Sequence, residues 1–170
     1  TGTTSSAERM RIDSSGNVMI GNTTASAKLD IRQDTGYAFR TENASGSTFR
    51  IDGATGDTEI AGSVNIINAN ISNQVNADVD TGIETVATVP IPAYTAAFFD
   101  YVVKKGLNVR AGVVHACHDG TNVQYVETST LDLGNTFDLQ LSVVIVGTDM
   151  ILQATAASDD WSVKTITRAL

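Results

Sequence analysis

The segment that decides the fold is residues 10–21, which read MRIDSSGNVMIG, and a related segment, FRIDGATGDTEIAG, follows at residues 49–62. In each copy a short run with apolar residues at alternate positions leads into a glycine-containing turn and then into a second short run. Alternation with a period of two around Ser, Gly or Asn is typical of a β-hairpin. We therefore predict two related hairpins, which serve as building blocks of a repetitive structure.

The same pattern recurs in shorter form between the two copies. Residues 39–46 read FRTENASG and residues 49–56 read FRIDGATG, and Leu29 and Ile31 predict one more short strand upstream. An isolated hairpin is marginal in water, because ordering the backbone costs roughly 1–2 kcal/mol per residue and one or two buried side chains return only about 1.5–3 kcal/mol each. We therefore expect several identical chains to share one core.

Apolar residues are distributed unevenly along the chain of 170 residues. Residues 1–76 contain 17 large apolar residues (V, I, L, M, F, W, Y or C) and residues 77–170 contain 35. We predict an all-β chain of two domains, an intertwined repetitive shaft over residues 1–76 and an antiparallel, jelly-roll-like β-sandwich head over residues 77–170. Alternating runs between hairpin-type turns predict head strands at residues 83–89, 97–103, 107–117, 123–128, 137–146, 150–156 and 161–169.

Two stretches, residues 62–76 and residues 143–146, have patterns that predict a particular local structure or packing. In residues 62–76 the four-residue spacing of Ile67, Ile71 and Val75 is that of a helical face. The many asparagines disfavour a helix, so intertwined β-structure is the preferred interpretation and a short coiled coil the alternative. The continuous apolar run at residues 143–146 predicts a strand that is covered on both faces, by a second sheet or by a neighbouring chain.

Composition excludes several classes of protein. The formal net charge of −8 argues against binding to nucleic-acid phosphates, which requires clustered Lys and Arg. No apolar run has the length of a membrane span and no secretory signal is visible, so we expect no membrane insertion. Cys117 is the single cysteine, which rules out a disulfide within the chain. Because the sequence begins with Thr1, we expect a fragment or a processed product.

One cluster of metal-ligand residue types occurs, at residues 115–119. On a strand, His115 and Cys117 would face one way and His118 the other, which separates the ligands of a tetrahedral site. On a threefold axis one His from each of three chains would supply three ligands, which is the alternative. The preferred prediction is no metal site and no cofactor. His115 and Cys117 are expected to pack internally, and His118 to lead into an exposed turn.

Two pairs of acidic residues, Asp78 with Asp80 and Asp159 with Asp160, are candidates for a calcium site and a catalytic pair. Asp78 and Asp80 resemble the opening of a calcium-binding loop, but residues 82 and 89 are not the oxygen ligands that an EF-hand requires, so an acidic solvated linker is expected. Asp159 and Asp160 would point to opposite faces of a strand and cannot converge on one glycosidic bond. A polar turn before Trp161 is expected instead, and we predict that the chain is not an enzyme.

Residues 8–31, ERMRIDSSGNVMIGNTTASAKLDI, strongly resemble a segment common in bacteriophage tail fibres and other virion fibre proteins, where the phrase runs approximately ERMRIDSSGNVGIGTTSP followed by a short AxLDV strand. Here Met19 stands in place of the usual Gly, and Ala25 and Ser26 in place of Ser-Pro. The segments FDYVVKKGLNVRAG (residues 99–112), HDGTN (118–122) and SDDWSVK (158–164) resemble the globular C-terminal regions of phage structural proteins. The resemblance implies a homotrimer whose shaft leads to a β-rich tip.

The sequence thus predicts a non-enzymatic structural protein of a phage virion, most simply a tail fibre that attaches to a host-surface glycan or protein and contacts other virion proteins. A capsid decoration or head-fibre protein is the alternative, and a glycan-depolymerising tailspike is a weaker one. Trp161 is expected in the core, and Tyr94 and Tyr125 at partly exposed positions. Loops carry most binding residues, so the receptor-binding candidates are His118, Asp119, Thr121, Asn122, Lys104 and Lys105.

Overall fold

The computed structural model describes residues 9–21, 23–24, 26–31, 36–43 and 46–170. These residues form β-strands and no helix, so none of them provides a helix long and apolar enough to cross a bilayer. The prediction of an all-β chain is confirmed. Parts of the predicted shaft, at residues 1–8, 22, 25, 32–35 and 44–45, lie outside the described residues. The chain divides into two compact units, residues 1–61 and 62–170.

The first unit contains two small sheets of three strands each. The strands are β1 Met10–Ile12, β2 Val18–Ile20, β3 Leu29–Ile31, β4 Tyr37–Asn43, β5 Gly46–Asp52 and β6 Thr58–Ile60. In the first sheet, β1 and β2 form the predicted antiparallel hairpin, with Met10 opposite Ile20 and Ile12 opposite Val18, and β3 adds to β2 in parallel. In the second sheet β5 pairs with both β4 and β6, antiparallel in each case.

The two copies of the repeated segment form related turns, each organised by an aspartate. The Asp13 carboxylate accepts hydrogen bonds from the backbone N–H groups of Ser15 and Asn17, both at 2.9 Å. The Asp52 carboxylate accepts them from Ala54 at 2.8 Å and Thr55 at 3.0 Å. These bonds lower the pKa of both aspartates, since they stabilise the ionised form. The repeat seen in the sequence is therefore a repeat in structure.

The second turn is one residue longer than the first. Gly16 N–H donates to the Asp13 carbonyl at 3.0 Å, whereas Gly56 N–H donates to the Asp52 carbonyl at 2.9 Å, so the closing glycine comes three residues after the aspartate in one copy and four in the other. Both glycines have positive φ, at 73° and 79°, which favours glycine over other residues. The extra residue of the second copy therefore lies within the turn.

The second unit contains nine strands, which form two sheets. The strands are β7 Val64–Ile66, β8 Ala69–Val79, β9 Gly82–Pro90, β10 Ala96–Lys105, β11 Asn108–His118, β12 Val123–Ser129, β13 Leu139–Val146, β14 Asp149–Ala156 and β15 Trp161–Ala169. A six-stranded sheet has the order β12-β11-β10-β15-β8-β7, and a three-stranded sheet has the order β13-β14-β9. Neighbouring strands in both sheets are antiparallel.

The seven strands predicted from residue 83 onward all occur, with ends shifted by one or two residues at most positions. The two-residue connections at Gly106–Leu107 and Gly147–Thr148 confirm the predicted hairpin turns, since Lys105 lies opposite Asn108 and Val146 opposite Asp149. Gly106 and Gly147 have φ values of 58° and 62°, as the tight hairpin turns that match strand twist require.

Buried side chains from both sheets of the second unit form a single core. Trp161, Phe99, Leu139, Met150 and Leu152 are its largest fully buried members, so the prediction for Trp161 is confirmed. On β10 and β15 every second residue is buried, as expected for strands with one face toward the core. Burial of apolar side chains on this scale is the main stabilising contribution to the unit.

Residues 62–76 are β-structure that pairs within the second unit. β8 pairs with β15, with Arg168 opposite Ile71 and Lys164 opposite Val75, and β7 pairs with β8. The preference for β-structure over a coiled coil is confirmed. The compact units separate at residues 61 and 62, whereas the predicted shaft extends to residue 76. Intertwining of this stretch between chains, and with it the functional boundary between shaft and head, stays a prediction.

The apolar run of β13 is covered on one face rather than on both. Val143 is buried, Val144 and Ile145 are half-buried, and Val146 is 54% exposed. β13 lies at the edge of its three-stranded sheet, so its final residue has less cover than a central strand would give. The prediction of cover on both faces is wrong for Val146 within a single chain, and cover by a neighbouring chain stays a prediction.

Candidate functional site

The predicted receptor-binding residues fall at opposite ends of the six-stranded sheet. β10 runs from Ala96, next to His118, to Lys105, at the hairpin with β11. Its ten residues span roughly 30 Å at about 3.3 Å per residue. His118, Asp119, Thr121 and Asn122 are therefore brought together at one end, and Lys104 and Lys105 lie at the other. One small ligand cannot contact both groups.

The loop of residues 118–122 is held by the Asp119 side chain. Its Oδ1 accepts hydrogen bonds from the N–H groups of Thr121 at 2.9 Å and Asn122 at 2.7 Å, and its Oδ2 accepts one from the Asn122 amide at 3.0 Å. These bonds lower the pKa of Asp119 from its ordinary value of 3.8 to about 2, because they stabilise the charged form. The loop is thus a third instance of the aspartate turn found in the repeats.

His118 ties this loop to the segment between β9 and β10. Gly120 N–H donates to His118 Nδ1 at 3.0 Å, and His118 Nε2 lies 2.7 Å from the carbonyl oxygen of Tyr94. Because Nδ1 accepts from an N–H, Nε2 is the nitrogen that donates, and its acceptor is the Tyr94 carbonyl. Both ring nitrogens are occupied by structural bonds, and His118 acts as a support of the loop.

The loop of residues 118–122 presents a polar surface that internal hydrogen bonds hold in place. Residues 119–122 are exposed, and the Thr121 side chain makes none of the bonds that shape the turn. Tyr94 is half-buried and Tyr125 is 44% exposed, which confirms their predicted partial exposure. A surface of this kind is suited to binding by hydrogen bonds and aromatic contact.

At the opposite end of the six-stranded sheet, Lys105 makes contacts that stabilise its own domain. Its Nζ donates to Ser158 Oγ at 3.0 Å and lies 5.7 Å from the centroid of the Trp161 ring. Ser158 Oγ also accepts a bond from Trp161 Nε1 at 3.1 Å and donates to Asp138 at 2.9 Å. Lys104 is exposed and is the freer of the two predicted lysines.

The same end carries the acidic residues that the sequence singled out. Oxygen atoms of Asp78, Asp80 and Asp160 lie within 4.8 Å of one another, and all three residues are exposed. Asp159 accepts hydrogen bonds from the Thr81 N–H at 2.8 Å and hydroxyl at 2.6 Å, which lower its pKa. The predicted polar turn before Trp161 is confirmed, with Asp160 at a φ of 66°. The sequence analysis did not predict that Asp160 lies close to Asp78 and Asp80.

The prediction that His115 and Cys117 pack internally is wrong, because both are exposed. The inward positions of β11 are instead Arg110, Val114 and Ala116. Both faces of this strand carry apolar residues, so alternation alone did not indicate which face the neighbouring strands would cover. The predicted separation of His115 and Cys117 from His118 does follow from the strand geometry.

A buried polar cluster, which the sequence analysis did not find, lies between the two sheets. Arg110 donates to Tyr101 Oη at 3.2 Å, Thr136 Oγ1 at 3.1 Å and the Leu139 carbonyl at 3.2 Å. Tyr101 donates to Glu127, which also lies 3.4 Å from Arg110 Nε. Burial and the bond to Glu127 raise the pKa of Tyr101 from 10.0 to about 12. The cluster stabilises the fold.

Comparison with models of protein families and with curated proteins found no match for this chain.

Proposed function

We propose that the chain is a non-enzymatic structural protein of a bacteriophage virion, a homotrimeric tail fibre whose β-sandwich head attaches to the host surface. The proposal starts from the resemblance of residues 8–31 to virion fibre segments. Repetition of the same aspartate turn at Asp13 and Asp52 supports it, since fibre shafts are built by repeating one small unit.

The observation that carries the proposal is the poor burial of the first unit. Among its described residues Met19 is the buried apolar side chain. Met10 is 57% exposed, Ile12 64%, Leu29 58% and Phe39 44%. A pair of three-stranded sheets with this exposure lacks the apolar burial that offsets ordering of the backbone. Association with further chains along the shaft supplies it.

Attachment to a host surface would rest on the loops of the head. Each loop offers few polar contacts, so a single head binds weakly, but three heads on one fibre bind together with a much higher effective affinity. The head would also contact other virion proteins, and no step in attachment requires a cofactor or a chemical reaction.

The test has two measurements on phage particles that carry this protein. Immunogold electron microscopy with antibodies to the purified chain is expected to label the tail, whereas label on the capsid shell would favour a decoration or head-fibre role and absence of label would overturn the proposal. Purified protein is expected to reduce adsorption of the phage to its host in a dose-dependent way.

Because the two groups of candidate residues are roughly 30 Å apart, substitutions can show which end of the head binds. Thr121→Ala and Lys104→Ala each remove an exposed side chain that does not shape its loop. The variant that no longer competes with adsorption marks the binding end, and its counterpart serves as the control. Release of sugar from host polysaccharide by the purified chain would instead establish a depolymerase.

A further inference from the structure

Over residues 71–76, strand β8 turns Ser72, Gln74 and Asn76 inward, whereas Ile71 and Val75 point outward together with Asn73. Gln74 and Asn76 are half-buried, whereas Ile71 is 39% exposed and Val75 47% exposed. The inward amides bind the backbone of β9: Gln74 Oε1 accepts from Thr88 N–H at 2.8 Å and Gln74 Nε2 donates to Thr88 O at 3.2 Å. A strand with one face in solvent has the opposite arrangement.

The outward side chains of β8 continue into an apolar surface that extends across the sheet. We call this surface the outer face and define it by the outward residues of β8, β15, β10 and β11. Val75 lies opposite Lys164, which lies opposite Val102, and the next row contains Ile166. Val102 is 40% exposed and Ile166 46% exposed. An open groove of about 660 Å³ crosses this face between β8 and β11.

The outer face carries a small positive charge, in contrast to the acidic chain as a whole. Asp100 and Arg168 neutralise each other through two contacts of 3.1 and 3.3 Å, which leaves Lys104 and Lys164 as the other charged residues on the outward sides of β10 and β15. The whole chain carries −8, so other parts of its surface are acidic. Copies of so acidic a chain repel one another except where they meet through a surface that lacks net negative charge.

The size of the outer face is also compatible with association between chains. Its four strands, spaced roughly 4.8 Å apart and each contributing about seven residues of 3.3 Å, cover roughly 440 Å² in projection. A standard interface buries about 800 Å² of accessible surface per partner. The face is therefore within a factor of about two of the area that a standard contact buries.

We propose that the outer face is the surface through which copies of this chain contact one another in the head. The inference rests on the proposed fibre function, which requires several chains, and it adds the surface that joins them. Charge selects the occupant: a further copy of an acidic chain is accommodated by this weakly positive apolar face better than by any strongly acidic part of the described surface. The outward apolar residues of β8 are then buried in the assembly.

The experiment measures the oligomeric state of the full chain by light scattering and native mass spectrometry over a range of concentrations. The wild type is expected at three times 17.9 kDa. Ile166→Glu and Val75→Glu each place a charge on the outer face and are expected to raise the concentration at which the assembly dissociates by at least tenfold. Ile83→Glu adds the same charge at a 66% exposed position of β9 in the other sheet, and it is expected to assemble as the wild type does.

The other possible results separate failure of the inference from failure of the fibre proposal. Face variants that assemble as well as Ile83→Glu overturn the inference and leave the fibre proposal standing. A wild-type chain that remains a 17.9 kDa monomer overturns both the inference and the shared core, whereas the place of the protein on the particle is decided separately by labelling. If circular dichroism shows that Ile166→Glu is unfolded, Ile166→Thr, which retains β-branching, must weaken assembly in the same direction.

Discussion

Tyr101 lies directly opposite Gly112 in the β10–β11 pair, and the glycine leaves the space that the phenol group occupies. A Cβ atom at residue 112 would lie 2.9 Å from the Tyr101 hydroxyl and 2.3 Å from the carbonyl oxygen of Thr128. The absence of a side chain at Gly112 thus allows Tyr101 to reach Glu127 and Arg110, and it brings β12 close to β11.

We expect Gly112→Ala to lower the free energy of unfolding by about 1–3 kcal/mol, the usual cost of overpacking a core. The measurement is urea denaturation followed by circular dichroism. Adding Tyr101→Phe should not restore stability, because the closest atom to the new methyl group is the backbone oxygen of Thr128 rather than the Tyr101 hydroxyl. An unchanged denaturation midpoint for Gly112→Ala would contradict the close approach.

The raised pKa of Tyr101 predicts a loss of stability at alkaline pH. In the folded chain the pKa is about 12, against 10.0 ordinarily, so between these values the unfolded chain loses a proton that the folded chain keeps. The stabilising contribution is therefore fully present below pH 10 and decreases as the pH rises toward 12, by about 2–3 kcal/mol at most. Unfolding curves at pH 9 to 12 measure this.

Tyr101→Phe provides the matched control for the alkaline transition. The variant is expected to be less stable at neutral pH, because Glu127 and Arg110 each lose a hydrogen-bond partner, at about 1–3 kcal/mol. Its stability should then change less between pH 10 and 12 than that of the wild type. Equal slopes for both proteins would show that another group causes the alkaline loss.

Local sequence signals were sufficient for the hairpins and insufficient for the long-range pairings. The registers of β1 with β2 and of β10 with β11 follow from alternation around Gly16 and Gly106, which fix the turns. The alternation of Trp161 with Val163 likewise predicts that the indole lies in the core. These predictions depend on residues close together in the chain, whose geometry a single turn determines.

Positions that depend on distant strands could not be predicted in this way. His115 and Cys117 are exposed because the strands beside β11 cover its other face, and nothing in residues 113–117 distinguishes the two faces. Asp160 reaches Asp80, 80 residues earlier, through the pairing of β15 with β8. The inward amides of Gln74 and Asn76 depend likewise on β9.

Arg110 is expected to be the most stability-sensitive charged residue of the buried cluster. It is 8% exposed and donates to three oxygen atoms, so Arg110→Met leaves Glu127, Thr136 and the Leu139 carbonyl without that partner. Breaking a buried charge pair from one side costs about 3–5 kcal/mol. Thermal and urea denaturation measure the loss, and Lys104→Met, which removes an exposed charge on β10, should change stability by no more than about 0.5 kcal/mol.

Removing the carboxylate partner as well tests whether the cluster acts as a unit. Arg110→Met combined with Glu127→Gln should be less destabilising than the sum of the two single substitutions, since the second change removes the charge that the first leaves unpaired. Strict additivity would indicate that Arg110 and Glu127 contribute independently, which their 3.4 Å separation does not lead us to expect.

Asp119→Ala is expected to loosen the loop of residues 118–122 without unfolding the second unit. The substitution removes three hydrogen bonds to Thr121 and Asn122, while the core lies elsewhere. Amide hydrogen exchange at these two residues should become faster, whereas exchange in β10 and β15 should be unchanged. Thr121→Ala, which removes a side chain that does not shape the turn, is the control and should retain slow exchange.

The pH dependence of the same loop follows from the lowered pKa of Asp119. Because the folded pKa is about 2 and the ordinary value is 3.8, the contribution of the carboxylate to loop order is present above pH 3.8 and is lost as the pH falls through about 2. Exchange at Thr121 and Asn122, corrected for the intrinsic effect of pH, should therefore rise relative to β10 at low pH in the wild type. In Asp119→Ala the ratio should not depend on pH, and the same rise in that variant would assign the transition to another group.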